Sequence, residues 1–138
     1  MLRNRHVAVW ISAIVFFALG AIWYSVLQAP WLAGIGKTLE ELTREQNASA
    51  LPYAVGYVSI LVMCYTLAWL LDRMDARSVA AGIRLGAIVA VGLVAAALAL
   101  NYGFESRSSR LWLINAGYAF VGVCVVGGIL GGRSRRSS

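Results

Sequence analysis

The chain has 138 residues, of which 60% are hydrophobic and 13% charged, with a formal net charge of +6 and a mean hydropathy of +0.73. Soluble domains carry about a quarter charged residues, and a soluble chain this short cannot hide so much apolar surface, so the class is an integral membrane protein. The basic residues lie, with one exception, outside the apolar runs rather than in a patch with interleaved aromatics; this argues against a nucleic-acid partner and for membrane orientation.

The first apolar run, about 7–27, follows Arg3 and Arg5 and ends in Trp23, Tyr24 and Ser25, with Pro30 and Trp31 just beyond. A secretory signal has an apolar region of about 7–15 residues and a small-residue cleavage site. This run is longer and ends in large aromatics, so it reads as a retained helix leaving the membrane at its aromatic end. In the connection that follows, Thr38 stands three residues before Glu41 in "TLEEL", a capping-box pattern that predicts a short helix at the surface.

Three further runs, about 52–71, 79–100 and 111–130, each match the ~20 residues that cross a hydrocarbon core. Backbone groups in lipid must be satisfied within the segment, which makes these runs helices. Ser49, Ser78 and Ser109 stand where N-caps are needed, and Pro52 is tolerated in a first turn. The expected fold is therefore all-α: one domain, an integral membrane bundle of four transmembrane helices with a disordered basic tail over 131–138.

Basic residues set the orientation. Arg3, Arg5, Arg73, Arg77, Arg84, Arg133, Arg135 and Arg136 fall on one side, and only Lys37, Arg44, Arg107 and Arg110 on the other. The positive-inside rule then places both termini in the cytoplasm. Most aromatics gather toward the outer side, leaving Trp10 and Trp69 to mark the inner one.

The stretch "GAIWYS" (20–25), Trp31, "GIGKTLEEL" (34–42) and the ending "NYGFESRSSRLWLINAGYAFVGVCVVGGILG" (101–131) together resemble the DUF1761 family of small bacterial membrane proteins over residues 7–131. Val26 stands where family members often have Pro, and Trp31 follows a residue early. The resemblance implies a four-helix fold and, because the family is uncharacterised, no chemistry. A bacterial cytoplasmic (inner) membrane is the expected location.

The candidate site is a polar and aromatic cluster at the outer end: Trp23, Tyr24, Trp31, Asn101, Tyr102, Glu105, Asn115 and Tyr118. Asn115 and Tyr118 share a helix face, and Asn101 and Asn115 fall at one depth. An aromatic belt with interhelical hydrogen bonds accounts for all of these residues and stays ahead. The competing reading is the rim of a shallow pocket for a lipid or other amphipathic ligand. At the inner end Arg84, alone inside an apolar run, lies about 9 Å along its helix from Ser78, within snorkelling reach of the interface. It reads as an anchor for anionic lipid or a partner for Asp72 or Asp75.

Cys64 and Cys124 have no CxxC partner, and His6 is the single histidine, so no zinc or haem ligand set can be assembled and no cofactor is expected. No nucleophile and base fall within reach of one another, which argues against an enzyme. Glycines of the third and fourth helices, beginning with "GIRLG" (82–86), predict close packing within the chain, or in a homo-oligomer or with another membrane protein. The expected function is a non-enzymatic accessory, scaffold or lipid- and small-molecule-binding protein using its outer end. The alternative is a small oligomeric transporter or channel; against it, the spans lack a midplane acid.

Overall fold

The computed structural model describes residues 2–136, and side chains for 4–133. The described chain is helical, with no strand: α1 (Leu2–Val26), α2 (Gln28–Ile35), α3 (Leu39–Ala48), α4 (Leu51–Arg73), α5 (Val79–Val89), a π-helical segment (Ala90–Ala95), α6 (Ala96–Phe104) and α7 (Ser109–Arg136). Four stretches are long and apolar enough to span a membrane: Asn4–Val26, Leu51–Arg73, Val79–Phe104 and Ser109–Arg133. The third span is α5, the π segment and α6 in one run.

Helix α7 occupies the centre. Helices α1 and α4, the third span and α2 all pack on it, whereas α4 barely touches the third span. The seam between α5 and α7 is built by glycines. A Cβ on Gly82 would fall 2.6 Å from the Gly127 carbonyl carbon, and one on Gly86 would fall 2.7 Å from the Val123 oxygen. Only glycine lets the two backbones approach this closely, which is how helices associate where no hydrophobic drive separates them from lipid. The glycine pattern is thus used within the chain.

Helix α1 and α7 interlock through side chains that reach backbone carbonyls across glycines. The Tyr118 hydroxyl donates to the Phe16 carbonyl at 2.8 Å, passing Gly20, where a Cβ would lie 2.6 Å from that hydroxyl. In return, Trp23 Nε1 donates to the Ile114 carbonyl at 3.0 Å, beside Gly117, whose Cβ would meet the indole at 3.0 Å. The core between the spans includes Val9, Phe16, Cys64, Leu67 and Val126, with Ser12 fully buried among them.

Several expected boundaries shift. Pro30 lies within a short helix that follows the first span: α2 begins at Gln28, joined to α1 through Leu27. A proline ring clashes with the carbonyl four residues back, here Val26, so the helix breaks there and restarts. Helix α2 ends at Gly36, whose φ of 71° is a left-handed conformation open to glycine, with the Lys37 amide bonded to the Leu32 carbonyl. The expected capping box is present, Glu41 N to Thr38 Oγ1 at 3.2 Å and Thr38 N to Glu41 Oε2 at 3.0 Å, and starts α3. Ser78 caps α5 through the Ala81 amide. For the last span, however, Ser108 rather than Ser109 supplies the cap, accepting from the Leu111 amide at 3.1 Å. Residues 131–136, expected in a disordered tail, continue α7, while 137–138 lie outside the described residues.

Candidate functional site

Asn115 is the hub of the end of the bundle where α1 finishes and α7 begins, the end expected to face outward. The Tyr24 hydroxyl on α1 donates to Asn115 Oδ1 at 2.7 Å, and Asn115 Nδ2 donates to the Tyr102 hydroxyl on α6 at 2.7 Å. One amide thereby joins three spans, satisfying both of its polar atoms where water is scarce. The Arg107 guanidinium lies 5.1 Å from the centre of the Tyr102 ring and pairs with Glu105 at 2.7 Å.

A second feature shares Tyr24. The rings of Trp31, Tyr24, Tyr118 and Phe16 form a descending series, with centroids 5.0, 5.3 and 5.1 Å apart in turn. The last two contacts are edge-to-face, the arrangement that the ring quadrupole favours. Beside this series, between α1, α2, α3 and α4, lies a cavity of about 550 Å³. Its mouth carries Gln28, Gln46 and Tyr53, and its floor is Phe17, Gly56 and Ile60. Leu39 and Leu42 of α3 face into it from above. No charged side chain lines it.

Polar groups in this cavity divide into committed and available. Tyr24 gives its proton to Asn115, Tyr118 to the Phe16 carbonyl and Ser25 to the Ala21 carbonyl. Gln28, Gln46 and Tyr53 make no side-chain hydrogen bond among the described residues, so the groups free to meet a ligand sit at the mouth. Polarity falls from mouth to floor.

The predicted cluster is therefore divided. Tyr24, Trp31 and Tyr118 line the cavity. Trp23 turns instead to the Ile114 carbonyl of α7, and Asn115 and Tyr102 are linked to the cavity through the Tyr24 hydroxyl. Glu105 is exposed in the third connection. Asn101 does not meet Asn115: it is exposed, and Tyr102 takes the place expected of it. At the opposite end of the bundle Asp72 pairs with Arg5 at 2.7 Å and Asp75 with Arg77 at 2.5 Å, so neither carboxylate serves Arg84, which is exposed on the face of α5 turned from α7.

Sequence reasoning missed the cavity wall supplied by α3 and α4. A signal was available in Leu39 and Leu42, apolar residues on one side of an otherwise charged helix. It also missed the inner contact between His6 Nδ1 and the Tyr65 hydroxyl at 2.8 Å. Among the described residues, no group of three His, Cys, Asp or Glu stands close enough to hold a metal ion.

A family model described as a protein of unknown function (DUF1761) matches residues 7–131. No curated protein and no solved structure matches the chain.

Proposed function

The chain belongs to the DUF1761 family, and from that premise and the geometry of its outer end we propose that it is a non-enzymatic membrane protein that binds an uncharged amphipathic lipid. The observation that carries this reading is the polarity gradient of the outer cavity. Amide and hydroxyl groups at the mouth match a polar, uncharged head. The aromatic and aliphatic floor matches the start of a hydrocarbon tail. A charged head would find no counter-charge in the lining.

In this reading the protein lies in a bacterial cytoplasmic membrane with both termini inside, following the basic residues. Helix α3 rests at the outer surface with Leu39 and Leu42 toward the cavity. Its partners are membrane lipids. An oligomer would use faces other than the α5–α7 glycine seam, which is filled within the chain. Arg84, six residues inside the third span, snorkels to inner-leaflet headgroups.

Native mass spectrometry of the protein released from its own membrane tests the reading. Wild type should retain an uncharged lipid at stoichiometric occupancy. Gly56→Leu, at a floor position with no atom within 4 Å of a built Cβ, should lose at least ten-fold of it without loss of thermal stability. Equal retention by both proteins, or none by wild type, removes the proposal. Solute flux in reconstituted vesicles would replace it with the transporter reading.

A further inference from the structure

We propose a second, intramembrane site: a lateral pocket between α4 and the π segment that takes one acyl chain of a bilayer phospholipid from the side. The pocket has a volume of about 190 Å³. It is separate from the outer cavity and does not depend on it.

Its construction follows from the packing. Because α4 and the third span scarcely touch, a cleft separates them, closed behind by α1 and α7. The floor is core: Phe16, Cys64, Leu67 and Val126 are all at least 97% buried. The mouth is the opposite, with Val62 60% and Leu93 66% exposed. Both mouth residues belong to membrane-spanning stretches, so the opening faces hydrocarbon rather than water. On the third span the wall is supplied by Leu93 and Val94 of the π segment. Its i→i+5 bonding widens the helix and re-aims side chains, a device that recurs at functional sites.

The chemistry of the wall selects the occupant. Thr66 carries the one side-chain hydroxyl in the lining, and it already donates to the Val62 carbonyl at 2.8 Å. A water molecule needs two to four polar partners and would find too few here. An apolar cavity of about 150 Å³ is enough to admit benzene, so this one has room for a section of chain. The flexible apolar molecules at that depth are lipid tails, and an unbranched chain is thin enough to enter beside Val62 and Leu93. The pocket thus differs from the ordinary lipid-facing surface: a chain lodged there would lie over core residues of the lining, Phe16, Cys64 and Leu67.

The test uses the full-length protein in nanodiscs of phosphatidylcholine doped with an analogue carrying a diazirine midway along one acyl chain. After photolysis, cross-linked peptides are mapped by mass spectrometry. Floor positions Cys64 and Leu67 should be labelled at least five-fold more, per residue, than the outward-facing Ile88 and Val91. Val94→Phe, which fills the pocket from the π segment, should abolish floor labelling and leave Ile88 and Val91 unchanged. Val62→Phe, which closes the mouth from an exposed position and does not disturb the core, should do the same if Val94→Phe fails to fold. Floor labelling no higher than at the outward positions overturns the proposal, as does floor labelling that survives Val62→Phe. Because Gly56→Leu blocks only the outer cavity, floor labelling in that variant should match wild type; its loss there would make the two cavities one site and would also overturn the proposal.

Discussion

Replacing Gly82 by alanine tests whether the bundle is organised around the seam between α5 and α7. The added Cβ would overlap the Gly127 carbonyl, at 2.6 Å from its carbon, and lie 3.3 Å from the Gly131 Cα. These neighbours are backbone, so no rotamer change relieves the clash, and the helices must separate along their length. Overpacking of this kind costs about 1–3 kcal/mol, here toward the upper end because the obstacle is rigid. Alanine in a helix returns about 0.5–1 kcal/mol relative to glycine, leaving a net loss of about 2 kcal/mol. Gly56→Ala has no atom within 4 Å of the new Cβ and should gain the ~0.5–1 kcal/mol without a clash. The two variants should therefore differ by about 2.5–3 kcal/mol in reversible unfolding by SDS in mixed micelles, read by tryptophan fluorescence. Gly127→Ala should match Gly82→Ala, and the double variant should cost less than the sum, because helices already parted for one methyl accommodate the other. Equal stability of Gly82→Ala and Gly56→Ala would refute backbone contact as the basis of the seam.

Asn115→Leu strands the hydroxyls of Tyr24 and Tyr102 together and should cost about 1–2 kcal/mol by the same assay; Tyr24→Phe should then add little in that background and more in wild type. Tyr118→Phe keeps both edge-to-face contacts and removes only the bond to the Phe16 carbonyl, for a loss of about 0.6–1.7 kcal/mol; no loss would mean that the hydroxyl is satisfied equally well elsewhere. Thr38→Ala removes one arm of the capping box and should destabilise α3 by about 1 kcal/mol. Hydrogen exchange should quicken across Leu39–Ala48 and stay unchanged in the four spans.

The spans were legible because hydropathy over ~20 residues is a property of composition, and lipid permits few backbone solutions. The capping box was legible because it is local. What escaped depends on phase. Tyr102 lies twenty residues after Gly82, and at about 100° per residue a regular helix would turn it roughly 200° from the α7 face. It is nevertheless buried, and it bonds Asn115 on α7. The intervening π segment, Ala90–Ala95, takes more residues per turn and re-phases everything that follows. Asn101, the residue expected to meet Asn115, is exposed, while its neighbour Tyr102 is buried. "AVGLVA" announces no such insertion. Its visible mark is the Trp112 indole, which donates at 3.0 Å to the carbonyl of Ala95, the last residue of the π segment.

Belt and pocket rim are competing readings of one set of aromatics, and Tyr24 fits both. In the proposed placement Tyr24 would sit at the interface, where an amphipathic ring belongs. Its ring lines the outer cavity, and its hydroxyl holds Asn115 and, through it, Tyr102. A lipid seated against Tyr24 would therefore press on the hydrogen-bonded chain that ties α1 to α6 through Asn115 of α7. Loss of that connection, in Asn115→Leu, should loosen the cavity wall without touching its lining. Retention of lipid should fall in Asn115→Leu by less than in Gly56→Leu, because a filled cavity excludes the ligand whereas an untied wall only holds it less firmly. Undiminished retention in Asn115→Leu would separate the two features and leave the hydrogen-bonded chain as helix-to-helix attachment alone.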